Sequence, residues 1–154
     1  PGECNFPDYT NPAVREWWAG LFKELISEIG VKGVWNDMNE PAVMEVPGKT
    51  FPPDVRHDYD GNPCSHRKAH NIYGTQMARA TYEGVKRFAY PKRPFIITRS
   101  AYSGAQRYTS SWTGDNVASW EHLWIANIQM QRMSISGMGF TGSDIGGFCR
   151  ATFG

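Results

Sequence analysis

Helical and strand-like stretches alternate along this chain, and the short strand runs break off at charged side chains, Asp37, Arg99, Asp115 and Asp144. Asn11 followed by Pro12 reads as an N-cap with proline at the first helical position. Val14, Trp17, Trp18, Leu21, Phe22, Leu25, Ile26 and Ile29 then recur at helical spacing until Gly30. A strand over 31–36 follows at once. A second helix is predicted from about Lys68 to Ala89, with Pro91 and Pro94 preventing its continuation, and then the strand Phe95 to Thr98. A third helix, apolar almost all round, spans 118–135, and another short strand starts over Met138 to Thr141. This alternation favours parallel strands joined by crossover helices, a βα barrel arrangement whose active site forms where the strands end and the βα loops begin. The segment Pro41 to Ser65, rich in Pro, Asp, Asn and Gly, is expected to be such a loop, lying over that face.

Composition narrows the function classes. A net charge of +1 with interspersed signs gives no basic stripe for a phosphate backbone, so nucleic acid is not expected as a partner. No apolar run approaches the ~18 residues of a membrane span, so no membrane association is expected. The first residues, PGECNFPDYT, carry neither the basic region nor the apolar core of a leader, which leaves localisation open. Cys4, Cys64 and Cys149 lack CxxC spacing and are expected to be free or buried thiols. His57, His66, His70 and His122 are expected in loop or structural roles, with no metal site.

Four motifs then point to chemistry. They are Gly33-Val34-Trp35-Asn36-Asp37-Met38-Asn39-Glu40, Arg99-Ser100 after the run PFIIT, Trp112-Thr113-Gly114-Asp115-Asn116, and Gly142-Ser143-Asp144-Ile145-Gly146-Gly147-Phe148. In order and approximate spacing they resemble the signature of glycoside hydrolase family 31, the retaining α-glucosidases and their relatives. The resemblance runs from the Phe6-Pro7-Asp8-Tyr9-Thr10-Asn11-Pro12 block to Phe148. It implies an α/β fold, a (β/α)8 barrel. Since such barrels typically need about 250 residues, residues 1–154 are expected to be part of a single catalytic barrel domain, roughly the end of strand 3 to strand 7.

The resemblance also implies roles. Asp37 would be the nucleophile and Asp115 the general acid/base, the two carboxyl groups standing about 5–5.5 Å apart. Arg99 would lie beside the −1 sugar and keep Asp37 ionised, while Trp112 and Gly114 would give Asp115 a less polar site. Trp35, Met38, Trp112 and Phe148 would line the −1 and +1 subsites, where aromatic rings pack on the apolar face of a sugar. Asp144 would support the site, and Glu40 is expected in a structural role. No cofactor is implied. The family's site further uses an aspartate from an early strand and a histidine beyond the last motif, so the rest of a parent chain is expected to complete the barrel, and the fragment alone is expected to be inactive. The activity implied is release of terminal non-reducing α-linked glucose from an oligosaccharide or α-glucoside, with retention. Arg67-Lys68-Ala69-His70-Asn71-Ile72-Tyr73-Gly74 resembles the α-glucosidase branches, against an α-xylosidase as the alternative. A non-catalytic, sugar-binding partial barrel is the other reading.

Overall fold

Asn11 does cap the first helix: its side-chain oxygen accepts from the Ala13 N–H at 2.8 Å, and Pro12 opens α1, Pro12–Gly20. The computed structural model describes residues 3–150. The helix expected to run on to Ile29 is interrupted at Leu21, and its last turn, Glu24–Glu28, is a π-helical turn. Gly30, at φ +81°, ends it. Strand β1 follows as Val34–Asn36, shorter than expected.

The segment between Pro41 and Ser65 is not structureless. It holds a small antiparallel hairpin, β2 Arg56–His57 paired with β3 Cys64–Ser65. Helix α2, His66–Ala89, starts directly after it and leads to β4, Ile96–Thr98. No crossover helix separates β4 from the next strand. A single 3-10 turn, Ala105–Arg107, leads into β5, Ser110–Trp112. Helix α3, Trp120–Ile135, precedes β6, Thr141–Gly142. Strands β1, β4, β5 and β6 form one sheet in that spatial order, every pair parallel, with Trp35 beside Ile97 and Thr98 beside Ser111.

Because successive side chains of a strand face opposite ways, the sheet sorts its residues into two sets. Asn36, Ile96, Thr98 and Ser111 are buried, on the side of the helices. Trp35, Ile97 and Trp112 point to the opposite face. Phe22, Ile26, Val85 and Ile96 form a core with Trp18, Val31 and Val34 packed against it, and Tyr9, Tyr73 and Ala80 form a second cluster beneath Val14, Trp18 and Phe51. The helices α1 and α2 meet closely: a Cβ on Gly84 would lie 2.5 Å from the carbonyl oxygen of Ala19. Helix α3 differs. Only Ala126 in it is buried, while Trp120 and Trp124 are 83% and 69% exposed. Of the helical tryptophans Trp17, Trp18, Trp120 and Trp124, Trp18 packs against the core and the other three are exposed.

Four histidines hold structure together. Asp8, His57, His66 and His70 form a hydrogen-bonded line: His57 Nδ1 lies 3.1 Å from Asp8 Oδ1, His57 Nε2 lies 2.9 Å from His66 Nδ1, and His66 Nε2 lies 2.9 Å from His70 Nδ1. The line joins the N-terminal block, the hairpin and α2. His122 Nδ1 accepts from the Val117 N–H at 2.9 Å. Among the described residues no group of three His, Cys, Asp or Glu side chains is arranged to hold a metal ion. Nor, among the described residues, is any helix long and apolar enough to cross a membrane.

Candidate active site

The carboxyl ends of the four parallel strands converge on one cavity of about 560 Å3. All eight residues singled out from the sequence line it: Trp35, Asp37, Met38, Arg99, Trp112, Asp115, Asp144 and Phe148, joined by Ile97, which sequence reasoning did not mark. Strand alternation explains the convergence. Trp35 and Asp37 project to the cavity side of β1, whereas Asn36 between them turns to the helices, where its Oδ1 accepts from Thr81 Oγ1 at 3.1 Å. Thr81 in turn accepts from the Trp18 indole N–H at 2.9 Å.

After Asp37 the chain bends sharply. Met38 takes a left-handed conformation, φ 59°, which non-glycine residues rarely adopt, and this reverses the path so that Asn39 and Glu40 come back against β4. Arg99 leaves β4 with its N–H donating to Asn36 O at 3.1 Å. Its guanidinium then makes a fork with Glu40, Nε to Oε1 at 2.9 Å and Nη2 to Oε2 at 3.0 Å. Nη2 also donates to Met38 Sδ at 2.8 Å. The remaining nitrogen, Nη1, faces the cavity, 3.1 Å from Asp37 Oδ1 and 3.7 Å from Asp115 Oδ2. The Asp37 contact is ionic without an aligned hydrogen bond, since that buried oxygen has no hydrogen-bond partner among the described residues. The hydrogen bonds that Arg99 donates to Glu40 raise its pKa above its ordinary value, with the charges of Glu40, Asp37 and Asp115 acting the same way against partial burial. The cation at this centre is permanent.

Aromatic side chains supply the apolar wall. The Trp35 and Trp112 rings stand edge to face, with centroids 5.5 Å apart and planes at 67°. Trp35 and Phe148 are 62% and 67% exposed, leaving their faces open to a ligand. Two expectations fail here. The Asp115 side chain is 47% exposed with Arg99 as its neighbour, so Trp112 and Gly114 do not give it the apolar surroundings expected. The segment 41–65 does not line the cavity; its hairpin docks on α2 and the N-terminal block through His57 and Asp8.

Sequence reasoning overlooked Asn39. It is 2% exposed, its Nδ2 donates to Thr98 Oγ1 at 2.8 Å, and its Oδ1 accepts from the Ser100 N–H at 3.0 Å. The only hint in the sequence is an amide next to a carboxylate motif, which does not say what it will meet.

Residues 1–153 match the family model described as the glycosyl hydrolases family 31 TIM-barrel domain. Alpha-glucosidase 2 of Bacillus thermoamyloliquefaciens is 47% identical over 154 residues, all of this chain and 19% of that protein. Neutral alpha-glucosidase AB of Homo sapiens is 42% identical over 96% of this chain and 16% of its own length. Among solved structures, a glucosidase II alpha subunit bound to alpha3-Glc2 superposes with a TM-score of 0.82 at 39% identity, over 96% of this chain and 16% of that one. The family 31 alpha-glucosidase from Bacteroides thetaiotaomicron gives 0.75 at 43% identity, over 92% and 22%. The chain thus spans about a fifth or less of the length of these relatives. Its parallel sheet, with the site at the carboxyl ends of the strands, is an arc of the barrel those proteins close, and the chain belongs to glycosyl hydrolase family 31 as a part of its TIM-barrel domain.

Proposed function

We propose that residues 1–154 are part of one catalytic barrel domain, and that the protein containing them releases terminal non-reducing α-linked glucose from oligosaccharides or α-glucosides by double displacement with retention. One observation carries this reading: a single guanidinium nitrogen touches oxygens of both Asp37 and Asp115 across a cavity walled by Trp35 and Trp112. Contact with a common nitrogen at 3.1 and 3.7 Å limits how far apart the two carboxyl groups can stand, which fits the close pair of a retaining enzyme. Asp37 attacks the anomeric carbon as Asp115 gives its proton to the departing glycosidic oxygen. Asp115, now a carboxylate, takes a proton from water, and that water displaces Asp37 from the sugar. Arg99 orients Asp37 and stabilises its charge, and the indole rings hold the sugar's C–H face. The relatives bearing the name alpha-glucosidase support glucose as the sugar.

The test uses the full-length protein. A fluorinated glucoside that forms the glycosyl-enzyme but hydrolyses slowly should label the peptide containing Asp37, and Asp37→Ala should lose turnover by several orders of magnitude. Labelling at Glu40 or Asp144 would overturn the assignment.

A further inference from the structure

The guanidinium that contacts both carboxylates is useful only if it is held in place, and the strand carrying it gives little hold. The β1–β4 ladder ends at the pair Asn36 and Thr98, one residue before Arg99. Past that point the main chain makes one more bond to β1, Arg99 N–H to Asn36 O at 3.1 Å, and a side chain reinforces it. The Asn39 amide reaches over from the loop after Asp37 and binds on both sides of Arg99: Nδ2 donates to Thr98 Oγ1 at 2.8 Å, and Oδ1 accepts from the Ser100 N–H at 3.0 Å. The Thr98 hydroxyl closes the ring by donating to Ser100 O at 3.1 Å. Asn39 and Thr98 are 2% and 0% exposed, so losing one of these bonds leaves a buried donor or acceptor unpaired.

Helix α2 backs this arrangement. A Cβ on Gly74 would come 2.7 Å from Ser100 O and 2.8 Å from Asn39 O, so the helix presses on both halves of the ring where only a hydrogen fits. The chemistry also selects the residue. One planar group must donate on one edge and accept on the other, which an amide does; an ionised carboxylate has no donor and an alkyl side chain has neither.

From this geometry we infer that Asn39 is a positioning residue for the reaction, clamping Thr98 and Ser100 so that Arg99 keeps its guanidinium on Asp37. The inference rests on the nucleophile reading of Asp37 given above. It assigns Asn39 no contact with substrate; the residue acts through Arg99.

The full-length enzyme again serves, with a slow-turnover fluorinated aryl glucoside as the probe. Two quantities are read: the amount of label at completion, which counts folded sites, and the first-order rate constant of labelling, which reports the nucleophilic step per site. Asn39→Ala should reach normal stoichiometry with a rate constant lowered about tenfold or more. Thr98→Val should fall with it, and Thr98→Ser, which keeps the hydroxyl, should recover most of that loss. In an Arg99→Ala background, Asn39→Ala should slow labelling no more than about twofold further. Should Asn39→Ala fail to fold, Thr98→Val carries the same comparison. Less label at an unchanged rate constant would mean a purely structural role and overturn the inference. So would an equal further loss in the Arg99→Ala background. Wild-type label on a residue other than Asp37 would instead defeat the nucleophile reading, and this inference with it.

Discussion

Glu40→Gln isolates the hold that Glu40 has on Arg99 from the chemistry of Asp37 and Asp115. In the native site two N–H donors of Arg99 meet the two oxygens of Glu40 at 2.9 and 3.0 Å. Glutamine has nearly the same shape but one oxygen, so one guanidinium N–H now faces an amide NH2 and loses its acceptor, while the ionic component disappears. Hydrogen bonds to charged groups contribute about 1.5–3 kcal/mol each when well buried. Here the side chains are 17% exposed for Arg99 and 35% for Glu40, so solvent screening discounts the loss to about 1–2 kcal/mol. Freed from the fork, Arg99 swings toward its other anionic neighbours, Asp37 and Asp115, and no longer presents one nitrogen between them. If that energy is expressed in the transition state, kcat/KM drops roughly 5- to 30-fold, at about 1.4 kcal/mol per decade. The fall should lie mainly in kcat, because Glu40 is not among the residues lining the cavity. Steady-state kinetics on maltose and an aryl α-glucoside, together with a thermal melt, measure both parts. A kcat/KM within twofold of wild type, or a loss matched by a fall in the folded fraction, would refute the reasoning.

Asp115→Ala should hurt substrates with poor leaving groups far more than activated aryl glucosides, and added azide should partly restore turnover as a glycosyl azide; equal losses without rescue would remove Asp115 from the acid/base role. Proton NMR in the first minutes of hydrolysis should show α-glucose first, and initial β-glucose would exclude retention. Burial, then the charges of His57 and His70, push the His66 imidazole down to about 4 from an ordinary 6.5. Between those values the unfolded chain binds a proton that the folded one refuses. Stability is therefore full above about pH 6.5 and falls by about 1–3 kcal/mol as pH approaches 4, and denaturant melts of His66→Gln should show a flatter pH dependence. Residues 1–154 expressed alone should associate and show no turnover, because β1 and β6 each have a single neighbour and Trp120, Trp124, Ile145 and Phe148 lie open. Light scattering checks this, and a monodisperse, active monomer would contradict it.

The elements that could be read from the sequence are those whose causes are local. Asn11 and Pro12 start α1 because a cap and a fixed φ act within one turn, and Gly30 ends that helical stretch by adopting a conformation that other residues resist. Val34 to Asp37 and Phe95 to Arg99 announce strands ending at charge because a short apolar run that stops at a charged side chain is written in consecutive residues. Asp37, Arg99, Asp115 and Asp144 were legible because each follows a strand and a parallel sheet sends all its carboxyl ends to one side, whereas Trp35, Met38, Trp112 and Phe148 were implied by the resemblance of their motifs to family 31.

What stayed hidden depends on partners far along the chain. A strand was expected before Asp115, but Ser110 to Trp112 has no apolar run to set its bounds, which come from the ladders that β4 and β6 offer on both sides. The hairpin within 41–65 exists where His57 finds Asp8, 49 residues away. Glu40 and Arg99 are separated by 59 positions, as are Asn39 and Thr98, and no local spacing says which carboxylate a guanidinium will choose. Periodicity and caps determined the kinds of element, because those follow from short-range sterics and backbone hydrogen bonding, and motif order pointed to the candidate reacting groups. Only the packed sheet and helix α2 decided how Arg99 is held on Asp37, because that depends on buried donors and acceptors that meet once the chain has folded.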